Sequence, residues 1–118
     1  MDIESFRNYC LEKKGATEAF PFGEDTLVFK VMGKMFALTG LNTLPYRASL
    51  KCNPDRAVEL REEYDGLITG AYHMNKKHWN NIQPEALPQK LVIDLIDHSY
   101  DLVKDKLTKS QKSALKLL

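Results

Sequence analysis

The sequence predicts an α+β domain in which one antiparallel sheet carries its helices on one face. Three observations point there. The β-rich stretch from Thr26 to Thr39 doubles back at Gly33-Lys34, as a hairpin does. Arg47 to Cys52 alternates Ala48, Leu50 and Cys52 with Arg47, Ser49 and Lys51, the period of a half-buried strand. Stripes of helical period stand before, between and after these strands. Helices laid on one side of an antiparallel sheet bury all three patterns at once. At 118 residues the chain forms one domain, 1–118, with enough length to bury a core without disulfide or metal.

Taken in order, Asp2 caps a first helix whose Ile3, Phe6 and Cys10 share a face, and Gly15 ends it. Ala19-Phe20-Pro21-Phe22-Gly23 reads as a loop bearing two aromatics. Thr26 to Met32 is a strand, Gly33-Lys34 a type II′ turn, and Met35 to Thr39 the returning strand. Gly40 to Tyr46 is a loop, and Arg47 to Cys52 is a third strand with one buried face and one solvated, basic face. Asn53-Pro54-Asp55 starts a helix with a cap, a first-turn proline and an acid. Its inner stripe is Ala57, Leu60 and Tyr64, and Asp65-Gly66 stops it. Leu67 to His73 and His78 to Ile82 read as strands flanking a bend at Asn75-Lys76-Lys77. Pro88 to Leu107 is a long helix with a broad apolar face, and Thr108 with Gln111 is a capping box that opens a short last helix.

Composition excludes several classes. Apolar residues at 43% and charged ones at 28% are those of a globular domain. No apolar run approaches the ~20 residues that cross a bilayer. Met1-Asp2-Ile3-Glu4 lacks the charged-then-apolar order of a signal peptide, so the expected location is cytoplasmic. Cys10 and Cys52 are distant and fit no zinc spacing; buried free thiols are expected, and no cofactor. Seventeen Lys and Arg against sixteen Asp and Glu exclude a globally basic surface, though not a local patch.

The densest chemistry lies between Ala71 and Ile82, which hold two histidines, two lysines, three asparagines and the chain's only tryptophan. Lys76 and Lys77 on a bend either neutralise phosphates or keep a strand edge soluble. Trp79 either stacks on a base or seals the sheet against the last helix, with His78 and Asn80 facing the other way. His73 and His78 have no third metal ligand nearby, and His73 is read as a ring that fixes its loop through a backbone carbonyl. Asn75, Asn80 and Asn81 read base edges or satisfy turn backbone. Ser99 and Tyr100, in the long helix, are expected to tie to the His73 loop. No Gly-x-Ser-x-Gly elbow surrounds Ser99 and no acid is placed to orient a histidine, so no catalytic set is assigned. Phe20 and Phe22 are either the lid of a cleft or a plug at one end of the sheet.

Five segments together carry a family resemblance: Phe20-Pro21-Phe22-Gly23, the hairpin through Gly33-Lys34, Leu50-Lys51-Cys52-Asn53-Pro54, the block from Gly70 to Trp79, and Ser99-Tyr100-Asp101-Leu102-Val103. On them the chain resembles the MmcQ/YjbR family over essentially its full length. The resemblance implies a fold like that of the frataxin-related CyaY proteins and a "double wing" DNA-binding role. An iron role of the frataxin kind would need an acidic ridge, whereas Asp2, Glu4, Glu12 and Glu18 are interleaved with Arg7, Lys13 and Lys14. The expectation is a non-enzymatic DNA-binding module. Lys34, Arg47, Lys51, Lys76, Lys77, His78 and Trp79 would form its contact surface, and His73, Asn75, Ser99 and Tyr100 would organise its loops. The alternative is an adaptor that binds a small ligand or a protein in a cleft between Phe22 and the His73–Trp79 block.

Overall fold

Alternation along the central strands decides the architecture. The computed structural model describes residues 1–118. Ten elements follow in the order α1 (Ile3–Glu12), β1 (Ala16–Ala19), β2 (Thr26–Val31), β3 (Lys34–Gly40), β4 (Ala48–Lys51), α2 (Pro54–Glu63), β5 (Ile68–Gly70), β6 (Trp79–Ile82), α3 (Gln89–Asp105) and α4 (Lys109–Lys116). The strands form one antiparallel sheet in the order β1-β2-β3-β4-β6-β5. Leu27, Phe29, Val31, Ala48, Leu50, Ile68 and Ile82 point to one face and join α1, α2 and α3 in a single core. No helix is long and apolar enough to cross a membrane.

Caps fall where the side chains allow them. Asp2 accepts from the Ser5 N–H at 2.8 Å, and Asn53 accepts from the N–H groups of Asp55 and Arg56. The Thr108–Gln111 box closes in both directions at 2.9 and 3.1 Å. An aromatic series crosses the domain: Phe6 of α1 meets Phe29, Phe29 meets Phe36, and Phe36 meets Tyr100 of α3, with centroids 6.2, 6.4 and 5.4 Å apart. Such contacts add to simple area burial. Cys10 and Cys52 are free and buried, and burial pushes both thiols above their ordinary range.

The hairpin differs from the expected one by a residue. Its central pair is Met32-Gly33, both at positive φ (49° and 79°), and Val31 pairs with Lys34. Two left-handed residues make a type I′ turn, which matches strand twist as type II′ also does. The turn places Lys34 first in β3. Phase is then corrected at Phe36: Lys30 pairs with Met35 but Phe29 pairs with Ala37, so Phe36 is the extra residue of a β-bulge.

That bulge ends the β3–β4 ladder at Ala37 and Leu50 and frees backbone groups beside it. Ser99 of α3, fully buried, fills the gap. Its hydroxyl donates to the Phe36 carbonyl at 2.6 Å and accepts from the Lys51 N–H at 2.9 Å. The Tyr100 hydroxyl donates to the Lys14 carbonyl at 2.5 Å. Ser99 and Tyr100 therefore tie the sheet and the α1 end to α3, not the His73 loop to the core. His98 on the same helix accepts from the Asn53 N–H at 3.1 Å; burial, then the Arg56 guanidinium, hold its pKa below the ordinary value and keep it a neutral acceptor.

Two further expectations are corrected here. A four-residue edge strand, β1, follows the first helix, over residues 16–18 that the sequence pattern assigns to no element and Ala19 that it places in a loop; its half-buried, polar alternation is too short to register as a pattern. Residues 71–78 are not two strands about a bend, because pairing of β5 stops at Gly70. Ser99→Ala leaves two buried backbone groups unpaired and should cost about 2–4 kcal/mol. Urea denaturation should show a lower midpoint at unchanged slope.

Candidate functional site

The face of the sheet turned away from the helices carries the candidate site. Val28, Leu38, Ser49, Asn81 and Thr69 are consecutive register partners across five strands, so their side chains share that face. Over this row lies a groove of about 640 Å³. Thr26, Met35, Leu38, Ser49, Trp79 and Asn81 form its floor, Ala71, His73, Met74 and Asn75 one wall, and Phe22 its rim. At the floor the Ser49 hydroxyl donates to the Asn81 oxygen at 2.5 Å. The expectation of a solvated face on β4 is thus corrected: Ser49 is buried, Lys51 is half-buried, and of the three only Arg47 is exposed.

The wall is a wound loop. Ala71 N–H donates to the Trp79 carbonyl at 3.0 Å and closes its base. Inside, the Asn75 carbonyl accepts from the N–H groups of His78 and Trp79, and its side chain accepts from the Lys77 N–H at 3.0 Å. Arg61 of α2 clamps the loop from behind. Its Nε donates to Asn80 Oδ1 at 2.7 Å, and its Nη2 donates to the Lys76 carbonyl. Asn80, 2% exposed on the helix face, also donates to the Ala57 carbonyl at 3.3 Å. Gly70 makes room for this approach: a Cβ there would sit 3.3 Å from Lys76 Cβ and 3.4 Å from Arg61 Cζ.

Trp79 is half-buried on the open face, opposite Lys51 across the strand pair, and so does not seal the sheet against α3. His73 is exposed on the groove wall; the loop is organised by Asn75 and Arg61, whose hydrogen bonds do the work assigned to His73. His78 contributes its carbonyl, which accepts from the Cys52 N–H at 2.8 Å. Phe22 is 69% exposed and borders the groove, the geometry of a lid and not of a plug.

The basic residues divide. Lys34 begins β3, Lys51 ends β4, and Lys76 and Lys77 precede β6, so antiparallel pairing puts all four at one end of the sheet. Arg47 precedes β4 and lies at the opposite end, in a separate hollow with Gly66 and Gln83. The Lys76 ammonium sits 5.4 Å from the centroid of the exposed Tyr72 ring. Met35, Leu38 and Ser49 escaped the sequence reading as site residues, whereas Asn81 and Met74 lie in the block it singled out. The alternation of the third strand did mark Ser49 as outward-facing, but which residues lie beside it depends on strand order.

Comparison with known proteins gives the family and the fold. The YjbR family model matches residues 11–102. The chain is similar to YbdF of Escherichia coli O157:H7, 35% identical over 115 residues that span 96% of this chain and 93% of that protein. It is also similar to YjbR of Escherichia coli strain K12, 27% identical over 116 residues and 98% of both chains. Among solved structures, the Deinococcus radiodurans protein DR2400 superposes with a TM-score of 0.89 at 39% identity, over 97% of this chain and 87% of that one. A Pseudomonas syringae crystal structure gives 0.73 at 28% identity, over 87% and 99%. YbdF and YjbR are both described as uncharacterized proteins, so they bring a family and no activity.

The Arg61 clamp is directly testable. Arg61→Met keeps the apolar stem but removes both hydrogen bonds. Amide exchange should rise about tenfold or more at residues 71–78, the effect of losing charge-assisted bonds, and stay unchanged in β2 and β3.

Proposed function

We propose a binding role for this chain, which belongs to the YjbR family: the open face of its sheet holds a small organic ligand without transforming it. The groove over Ser49 and Asn81 is the observation that carries this reading. Its volume of about 640 Å³ falls within the ~300–1,000 Å³ range of small-molecule sites. Its lining has the matching character, with Trp79, Met35, Met74, Leu38 and Phe22 around a Ser49–Asn81 pair that can orient a polar group. Methionines adapt their shape to a ligand, and a half-buried tryptophan offers a flat face.

The non-catalytic part of the reading rests on where the nucleophiles are. Cys10, Cys52 and Ser99 are buried in the helix-side layers, and Ser99 is committed to two backbone bonds. The groove itself presents His73 and the Ser49 hydroxyl, which donates to Asn81, without a carboxylate among its lining residues. A metabolite set screened by thermal shift and by fluorescence of the single tryptophan tests the idea. A ligand at 100 times its Kd should stabilise the protein by about 2.7 kcal/mol and alter Trp79 emission. Failure of every compound to do both would remove the groove from consideration.

A second reading, DNA binding through phosphates, is favoured by the gathering of Lys34, Lys51, Lys76 and Lys77 at one end of the sheet. The near-zero net charge weighs against it. Fluorescence anisotropy with a short duplex should show salt-sensitive binding. The Lys76→Ala/Lys77→Ala double variant should weaken that binding for all sequences and lower the salt slope by roughly 2. Equal affinity of the variant would reject the lysine assignment.

A further inference from the structure

The groove does not end at Met35. That side chain also borders a second hollow of about 300 Å³ at the end of the sheet, whose other lining residues are Lys34, Lys51, Val103 and Lys106. Three lysines line this hollow and no acidic residue does. The ion pairs of the chain are Arg7–Glu18, Lys13–Asp97, Arg56–Asp94 and Lys104–Asp101, so none of the three lysines has an acidic partner. Lys106 follows the last turn of α3 and complements that helix end, but this accounts for one lysine and not for three.

The two spaces share more than Met35. Lys51 and Trp79 are direct cross-strand partners on the open face, which puts their Cβ atoms about 5 Å apart. Lys51 is fixed from behind, since its N–H is held by Ser99, and α3 carries both Ser99 and the approach to Lys106. We propose that the ligand of the groove is an organic anion, its flat apolar body over Trp79 and Met35 and its phosphate or carboxylate end among Lys34, Lys51 and Lys106. The proposal rests on the groove being a ligand site and names what it takes.

Charge supports the assignment. Burial, and then the neighbouring Lys106, hold the Lys51 ammonium below its ordinary pKa. Like charges brought together in a partly desolvated hollow repel, and an anion between them relieves both. The hollow has ample room for an anionic group, and Met35 and Trp79 supply apolar surface on only one side of it. A small amphipathic anion fits this asymmetry.

Trp79 makes the test simple, because the only tryptophan gives one indole N–H signal in a nitrogen–proton correlation spectrum. Three probes share a body and differ in the end group: 1-naphthyl phosphate, 1-naphthoate and neutral 1-naphthol. At least one anion should bind about tenfold or more tighter than 1-naphthol, the effect of a charge-assisted hydrogen bond. It should move the Trp79 indole signal together with the Lys51 and Lys106 amides, and the order of the two anions assigns the end group. Lys51→Gln/Lys106→Gln should abolish the preference while 1-naphthol binds as before. Lys34→Gln/Lys106→Gln serves if the first variant does not fold.

Equal binding of all three probes, or a preference that survives the lysine variants, would overturn the anion assignment and leave the groove standing. Anions that shift only the lysine amides, with the Trp79 signal still for every probe, would overturn both.

Discussion

The Ser99 hydroxyl, set between β3 and β4, is the contact on which the arrangement of this domain depends. A sheet with a bulge in an inner strand has a mouth of unpaired backbone groups where its ladder parts. Leaving those groups buried and unpaired would cost about 1–3 kcal/mol each. Phe36 and Tyr100 are buried against each other beside it, and the partner comes from the protein. A serine on α3 supplies a donor and an acceptor from one atom, bonding Phe36 and Lys51 together. The same bond fixes the height of α3 on the sheet, and with it Tyr100 over Lys14 and His98 over the α2 cap.

From that fixed point the two faces of the sheet acquire different duties. The helix face is filled by the aromatic series and the aliphatic residues of β2, β4 and β6. The open face carries Val28, Leu38, Met35 and Trp79, too apolar for plain exposure, and is screened by Phe22 and the wound loop instead of by a helix. A helix would have closed this face completely. A loop held by Arg61 and by its own Asn75 leaves a groove, and its exposed Tyr72, Lys76 and Lys77 keep the rim in water. The groove follows from the choice of cover.

Much of the fold was legible because it rests on local rules. Asp2, Asn53 and Thr108 cap helices where their side chains say they should, and period-2 alternation located the β4 core residues. The α+β class followed from those same patterns. What escaped depends on contacts between distant segments. Gly33 announces a tight turn, but the choice between two registers is made by the bulge at Phe36, which local pattern does not show. Tyr72 and His73 have strand-like neighbours, yet the pull of Arg61 on Lys76 winds them into a loop. Trp79 was ambiguous for a related reason: alternation separated it from Asn80 but could not say which of the two faced the helices. The Phe22 and His73–Trp79 blocks were read as one cleft from their composition, and the groove joins them. Its methionine and leucine floor had no sequence signal separable from ordinary core.

Net charge was the weakest guide, and the reason is structural. The sum is close to zero because acids and bases are nearly equal in number, and it carries no information on where they lie. Three of the four ion pairs join helices to one another or to the edge strand: Arg7 of α1 meets Glu18 of β1, Lys13 meets Asp97, and Arg56 of α2 meets Asp94; Lys104 and Asp101 pair within α3. Four carboxylates, Glu18, Asp94, Asp97 and Asp101, are thereby paired in and around the helical layer. Lysines that begin β3, end β4 and follow α3 meet at the end of the sheet, where no carboxylate lines the hollow between them. Antiparallel order brings strand beginnings and strand ends together, so residues far apart in sequence concentrate their charge at one place. A neutral chain can in this way present a cationic end, and the apolar groove opens directly beside it.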